Sequence, residues 1–237
     1  MDTTVKQTKE NKKSTLTNQI YQDIKNGIAK KQFQPGEKLN IKELARMYNV
    51  SDTPVKQALQ RLADEKMVMN TPNKGMSVYL LTPNELNDIF DMRLMMDTFF
   101  IKNVISTLNY NNNLRQQLIE NLEEQKKFVK NCESSLYPET YFSLDMEFHT
   151  LFLTASGNQK AVDVFNDLQP FTYATGTYLN QPHYRDCECV AEHEEILKAA
   201  FNGDLDGLNK AVHTHIENSR RALQLIFKVN QIVLPNE

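Results

Sequence analysis

Apolar residues recur at intervals of three and four between Ile41 and Leu62, which is the spacing of an amphipathic α-helix. A short interruption at Asn49–Val50 divides the stretch into two helices, and Ser51 is a favourable N-cap for the second. The residues expected to face inward are Leu44, Ala45, Tyr48, Val55, Ala58, Leu59 and Leu62. Two short helices joined in this way form a helix-turn-helix, which indicates DNA binding, although such pairs also occur in proteins that never contact nucleic acid.

The other face of the second predicted helix carries Thr53, Lys56 and Gln57. In a helix-turn-helix this second helix enters the major groove with its N-terminal end first, so its polar side chains meet base edges and its lysines meet phosphates. We therefore expect these residues to lie in a DNA interface.

Two β-prone runs follow, Met67–Thr71 and Met76–Leu80, on either side of Pro72–Gly75. This pattern predicts a β-hairpin whose tip carries Lys74 and Gly75. A hairpin after a recognition helix is a wing, and its tip can reach phosphate or the minor groove. The alternative is an ordinary solvated turn.

After Thr82–Pro83 the strand pattern disappears and long segments show helical periodicity. The predicted helices span residues 83–109, 112–131, 136–156, 159–179, 187–202 and 204–230. Short connections favour antiparallel neighbours. The predicted fold class is therefore mainly α: an N-terminal winged helix-turn-helix, made of three helices plus a β-hairpin, followed by an all-α antiparallel bundle of about six helices. We place a flexible arm at residues 1–14, the DNA-binding domain at 15–82 and the bundle at 83–237.

Charge separates the two predicted domains. Residues 1–82 hold 14 Lys+Arg and 8 Asp+Glu, net +6, and residues 83–237 hold 13 and 22, net −9, which together give the chain's −3. Only the N-terminal part suits a polyanion. A charge excess of this size is often just a solvated face, so it supports the motif without replacing it.

The composition predicts a cytoplasmic protein. No apolar run approaches the roughly 20 residues that a membrane span needs, and the polar N-terminal segment lacks the apolar core of a secretion signal. The three cysteines form an odd set without the spacing of a disulfide framework, which fits a reducing compartment.

Candidate metal ligands lie on three predicted bundle helices. Asp145 and His149 are four residues apart and share one helix face, while His193 and His215 lie on the last two helices. One carboxylate and three imidazoles suit a divalent ion such as zinc, nickel or manganese. Spacing alone brings only Asp145 and His149 together, and a lone histidine on an amphipathic helix is more commonly a core or surface residue.

Residues 16–82 resemble the winged helix-turn-helix of GntR-type bacterial transcription regulators, through QPGEKLNIKELARMYNVSDTPVKQALQRLADEKMV and PNKGMSV. The resemblance implies DNA contacts at Lys42, Ser51, Thr53, Lys56 and Gly75. The sequence departs from the family pattern at Asp52, where arginine is usual, and at Lys56-Gln57, where Arg-Glu is usual. It also has Lys66 in place of a glycine, which predicts a less tightly turned helix end.

Residues 83 to about 230 resemble the FCD ligand-binding domain of the FadR subgroup, through DMRLMMD, DMEFHTLFLTASGN, EHEEILKAAFNGD and AVHTHIENS. The resemblance implies that Asp145, His149, His193 and His215 bind a metal. It also implies that Arg93 binds the effector, although an interhelical salt bridge is an alternative role. His213 should face elsewhere on its helix, and Asp97 replaces a family glutamate.

These observations predict a metabolite-responsive transcription regulator rather than an enzyme. The family resemblance favours a repressor, with an activator as the alternative. The protein would bind a palindromic operator in double-stranded DNA as a homodimer, and its bundle would hold the metal and a small carboxylate metabolite, with Arg93 as a bidentate clamp. A purely structural metal and a metal-sensing regulator without an organic effector remain alternatives. A third is a helical metal-dependent hydrolase with Glu147, Glu194 or Glu195 as general base.

Overall fold

The computed structural model describes residues 16–28, 32–79, 81–131, 137–168 and 181–233. The chain divides into two compact units, Met1–Leu81 and Thr82–Glu237. In the described residues the first unit contains three helices and a β-hairpin, and the second contains seven helices. This is the predicted mainly α fold class. The predicted arm at 1–14 and the end of the predicted helix 159–179 lie outside the described residues.

The N-terminal unit contains the predicted helix-turn-helix. Helix α1 covers residues 16–28, α2 covers Ile41–Met47 and α3 covers Asp52–Asp64. Between α2 and α3, Asn49 adopts φ 52°, and the amides of Asn49 and Val50 donate to the carbonyls of Arg46 and Ala45. This pair of hydrogen bonds is a Schellman motif, and asparagine tolerates its left-handed residue better than most side chains.

Ser51 is the N-cap residue of α3, as predicted, but its hydroxyl makes no capping hydrogen bond. That part of the prediction was wrong. Asp52 lies in the first turn instead, where a carboxylate interacts favourably with the positive end of the helix dipole. The acidic residue that replaces the usual arginine therefore has a local structural role.

Helix α3 ends in a second Schellman motif, which overturns the expected looser turn at Lys66. Lys66 adopts φ 58°, its amide donates to Ala63 and the Met67 amide donates to Leu62. A lysine in the left-handed region costs roughly 1–2 kcal/mol. The turn places Met67 and Val68 in the core, and their burial offsets this cost, so the tight turn forms without glycine.

The wing consists of β1 (Val68–Thr71) and β2 (Gly75–Val78), paired antiparallel from Val68↔Val78 to Thr71↔Gly75. Gly75 has φ 87°, a conformation that favours glycine. The segment before α2 also pairs with β2, because the Leu39 amide donates to Met76 and the Val78 amide donates to Glu37. These bonds hold the wing against the helical core.

One apolar core unites the helices and the wing. Its buried members are Ile20, Tyr21, Ile24, Ile28, Leu39, Leu44, Ala45, Val55, Ala58, Leu59, Leu62, Met67, Val68 and Val78. Every residue predicted to face inward is among them except Tyr48, which is partly buried against this core.

The second unit contains the bundle helices. They are α4 (Pro83–Phe99), α5 (Ile101–Tyr110), α6 (Asn112–Lys130), α7 (Tyr137–Thr154), α8 (159–168), α9 (His183–Phe201) and α10 (Leu205–Val233). The predicted helix 83–109 is two helices, since the chain turns at Phe100 without a glycine or proline. Helix α9 begins four residues earlier than predicted, directly after Pro182.

Helices α9 and α10 lie at the centre of the bundle. Helix α10 packs against α9, α4 and α5, while α6 packs against α7 and α9. A capping box between Thr82 and Glu85 fixes the start of α4. This arrangement directs residues from α4, α6, α7, α9 and α10 toward one buried region.

Within the described residues, no helix combines the length and the apolar character that a bilayer crossing requires.

Candidate functional site

Three histidines from different helices meet in the bundle core. His149 on α7, His193 on α9 and His215 on α10 are 3%, 0% and 2% exposed, and one ring nitrogen of each lies within 4.8 Å of the others. Asp145 lies one turn before His149, with Oδ1 3.7 Å from Nε2 of His193. The structure therefore brings together all four residues named as candidate ligands.

One separation is already that of two ligands around one ion. The Nε2 atoms of His149 and His215 lie 3.2 Å apart. Two nitrogens that each lie about 2.1 Å from zinc are about 3.0–3.4 Å apart when they occupy neighbouring coordination positions. Without an ion, one of these two rings must donate a hydrogen bond from Nε2 to the other ring at this distance.

The protonation states also suit metal binding. Burial, followed by the electrostatic effects of the neighbouring His215 and Arg93, holds the pKa of His193 well below its usual range. Burial likewise lowers the pKa of His149. Both rings are thus neutral at pH 7, as a metal ligand must be.

One ligand atom has no partner. Nε2 of His193 is buried and, among the described residues, receives no hydrogen bond. Burial also raises the pKa of Asp145, a cost that a bound cation would offset. An unsatisfied imidazole nitrogen beside two further imidazoles and a carboxylate fits a divalent metal.

Side chains behind the histidines hold the rings. Nδ1 of His193 lies 2.9 Å from Gln125 Oε1, and Nδ1 of His215 lies 2.8 Å from Glu192 Oε2. Phe148 stacks on the His193 ring with centroids 3.9 Å apart. Sequence reasoning missed both Gln125 and Glu192. The available signal was a polar residue, Gln125, at helical spacing from buried Leu118 and Leu122.

Glu192 is itself fixed by a buried arginine. Arg185, 3% exposed, donates from Nη1 and Nη2 to the two Glu192 oxygens at 2.8 and 2.7 Å, and Asn218 donates to Oε1 at 2.8 Å. Burial alone would raise the pKa of Glu192, but hydrogen bonds from His215 and Arg185 lower it to about 2. Glu192 is therefore an anion at pH 7.

Cys189, Glu192 and His215 form a second close group of potential ligands. Burial raises the pKa of the Cys189 thiol well above its usual range, so the thiol stays protonated at pH 7. Both Glu192 oxygens already accept two hydrogen bonds each. The histidine cluster with Asp145 is therefore the better metal site.

Arg93 lies on α4 beside this cluster. It is 5% exposed, and its Nε and Nη2 atoms have no hydrogen-bond partner among the described residues. In the described part of the chain, Arg93 does not form the interhelical salt bridge that was its alternative role. Burial raises the pKa of neighbouring Asp97 to about 6, although Arg93 lowers it, and Asp97 Oδ2 is 4.0 Å from His149 Nδ1.

The remaining polar candidates point away from the cluster. His213 is exposed, as expected for a residue two positions from His215. Glu194 pairs with Lys126 at 2.8 Å on the surface, and Glu195 pairs with Lys198. Glu147 accepts from Asn121 at 2.9 Å.

The candidate DNA interface is on the N-terminal unit. All seven residues named for it are exposed: Lys42, Ser51, Thr53, Lys56, Gln57, Lys74 and Gly75. Ser51, Thr53 and Lys56 lie at the start of α3, whereas Lys74 and Gly75 are at the wing tip. Gln57 accepts a hydrogen bond from Thr17 at 3.2 Å, which ties it to α1.

The described residues form a winged helix-turn-helix unit and a helical bundle with a buried polar cluster. Comparison with family profiles places residues 16–78 in "Bacterial regulatory proteins, gntR family" and residues 88–218 in "FCD domain". The chain belongs to the GntR family of DNA-binding regulators and carries an FCD domain.

Relatives and solved structures agree with this assignment. The chain is 23% identical to the HTH-type transcriptional repressor RspR of Escherichia coli, over 94% of this chain and 96% of that protein. It is 25% identical to the gluconate operon transcriptional repressor of Bacillus licheniformis, over 85% and 82%. The Escherichia coli McbR/YncC structure shares its fold, with a TM-score of 0.66, 20% identity, and coverage of 90% and 98%.

Proposed function

We propose that this protein is a cytoplasmic repressor that binds a palindromic operator as a homodimer. Its FCD domain would bind a divalent metal and a small organic acid, and the acid would release the protein from DNA. The observation that carries the proposal is the convergence of three buried histidine nitrogens and the Asp145 carboxylate, together with the buried guanidinium of Arg93, whose Nε and Nη2 have no hydrogen-bond partner among the described residues. Nothing in this chemistry requires that the protein turn over a substrate.

The proposed metal ligands are Asp145, His149, His193 and His215, and zinc, nickel and manganese are the candidate ions. Three imidazoles and one carboxylate are borderline ligands that all three ions accept. An ion that prefers five or six ligands keeps positions open, which a carboxylate effector can fill in place of water. The metal would thus supply an electrophilic anchor for the effector.

Arg93 is the proposed protein contact to the effector. Its buried Nε and Nη2 groups have no acceptor among the described residues, and a carboxylate can accept from both. A hydroxy-carboxylate suits both parts of the site, since one end can bind the metal and the other the guanidinium. One relative is named for a gluconate operon, so gluconate is a reasonable first probe.

Regulation would follow from ligand binding to one of two dimer arrangements. A homodimer bound to a palindrome needs its recognition helices at a fixed spacing of about one or more helical turns of DNA. An acid that binds more tightly to an arrangement with a different spacing weakens operator binding. Because the coupling is reciprocal, this loss equals the free energy by which the operator weakens acid binding.

We expect chelation and acid addition to have separable effects on operator binding. Metal-loaded protein should bind a duplex selected from a random DNA library, and gluconate or malate should weaken that binding only when metal is present. Fluorescence anisotropy of the labelled duplex measures both effects. A metal sensor would instead respond to chelation alone, and an enzyme would convert the added acid, which chromatography of the reaction mixture detects.

Lys56→Ala should weaken operator binding and reduce the slope of log affinity against log salt by about one unit, because one phosphate contact is lost. The measurement is anisotropy at several salt concentrations. Lys102→Ala is the matched control, since Lys102 is an exposed lysine on α5 of the second unit. Equal slopes for Lys56→Ala and wild type would remove Lys56 from the interface.

A further inference from the structure

The ability of each candidate histidine to bind a metal through Nε2 depends on which of its two ring nitrogens carries the hydrogen. A neutral imidazole can bind a metal through Nε2 only if the hydrogen is on Nδ1. Nδ1 of His193 and of His215 each face one acceptor, Gln125 and Glu192 respectively. Neither residue is among the four proposed ligands, and both lie behind the rings as seen from the cluster.

The orientation of the Gln125 amide follows from a chain of contacts. Asn121 Nδ2 lies 3.1 Å from the Leu144 carbonyl and 2.9 Å from Glu147 Oε2, and both of these are acceptors only. The NH2 group of Asn121 must therefore point toward them, which leaves Oδ1 to accept from Gln125 Nε2 at 2.7 Å. With its own NH2 group committed, Gln125 presents Oε1 to His193.

Because Gln125 Oε1 cannot donate, His193 Nδ1 must carry the hydrogen, and Nε2 then has a free lone pair. Gln125 is fully buried, so water cannot replace it in this role. The chain ends at the main-chain carbonyl of Leu144, the residue before Asp145. The same segment of α7 thereby positions one candidate ligand directly and another through two amides.

Glu192 acts on His215 in the same way but as an anion. Its Oε2 accepts from Arg185 Nη2 at 2.7 Å and faces His215 Nδ1 at 2.8 Å. Arg185 and Asn218 occupy Oε1, so the carboxylate is held in one orientation. A carboxylate accepts the Nδ1 hydrogen and makes the opposite nitrogen a stronger electron donor.

We infer that Gln125 and Glu192 are positioning residues that fix His193 and His215 in the tautomers that direct Nε2 toward a metal. The inference deepens the proposed metal site and rests on it for its biological meaning. The tautomers themselves are properties of the metal-free protein and can be measured separately.

The first test uses the full-length, metal-stripped wild-type protein labelled with nitrogen-15 at histidine. Long-range proton–nitrogen spectra identify which ring nitrogen carries hydrogen. We expect the Nδ1–H tautomer at His193 and at His215, assigned by comparison with single histidine variants. A predominant Nε2–H tautomer at both residues would overturn the inference without any change to Gln125 or Glu192.

The second test removes each acceptor. Gln125→Leu should shift the tautomer of His193. Both Gln125→Leu and Glu192→Gln should weaken Zn²⁺ binding by about 10- to 100-fold, the usual effect of losing such a partner, because Glu192→Gln replaces an anionic acceptor with a neutral amide. Competition with a chromophoric chelator measures the affinity. Gln116→Leu, at an exposed glutamine of the same helix, and Glu188→Gln, at an exposed carboxylate that also contacts Arg185, should match wild type.

The outcomes separate the two proposals. If wild type fails to bind Zn²⁺, Ni²⁺ or Mn²⁺, the metal site is wrong and the tautomer spectra alone decide the positioning roles. If wild type binds but folded Gln125→Leu and Glu192→Gln keep both its tautomers and its affinity, the positioning roles are wrong. Should Gln125→Leu fail to fold, the nearly isosteric Glu192→Gln and the wild-type spectra carry the test.

Discussion

His193→Ala and His215→Ala should each reduce Zn²⁺ affinity by more than about 100-fold, beyond the loss expected for a residue that only supports a ligand. Each substitution removes one imidazole from a buried set whose nitrogens lie within 4.8 Å of one another. The protein should then emerge from purification without stoichiometric metal. Elemental analysis of the purified variants and chelator competition measure the two effects.

The matched control is His213→Ala. His213 lies on α10 two residues from His215 but is exposed, so its removal should leave the metal content and affinity unchanged. Circular dichroism confirms that each variant is folded before the comparison. If His193→Ala and His215→Ala both retain one metal per chain, the ligand assignment is wrong. Loss of metal in His213→Ala as well would indicate a nonspecific effect on the bundle.

Local patterns were sufficient to predict the N-terminal unit. The spacing of Leu44 and Ala45 in α2, and of Val55 and Leu59 in α3, fixes the buried face of each helix, and the structure buries all four. These signals are local because helix and hairpin formation depend on neighbouring residues. The left-handed conformation of Lys66 was not predictable in this way, because the sequence lacks the usual glycine and the turn is maintained by its surroundings.

The bundle was predicted less completely. The break at Phe100 has no glycine or proline to mark it. Spacing paired only Asp145 with His149, while the family resemblance supplied His193 and His215 as partners. Their partners Gln125 and Glu192 depend on contacts across 68 and 23 residues, which no local pattern reports. The coordinates bring these side chains together, whereas metal binding by them remains a prediction.

Arg93→Ala should weaken binding of a hydroxy-carboxylate such as gluconate or malate to the Zn²⁺-loaded protein by at least about 30-fold. Loss of one partner from a buried charge pair costs about 2–5 kcal/mol, and about 1.4 kcal/mol corresponds to a tenfold change. Arg93→Lys should lose less, because it keeps the charge but not the two-pronged contact. Isothermal titration calorimetry measures the affinity, and Zn²⁺ content should be unchanged.

Arg220→Ala provides the control for this prediction. Arg220 and Arg93 each lie 5.8 Å from the Phe90 ring, but Arg220 already pairs with two carboxylates, Asp91 at 2.6 Å and Glu217 at 3.5 Å. Acid binding should therefore survive in Arg220→Ala. Wild-type acid affinity in Arg93→Ala would exclude Arg93 as the clamp.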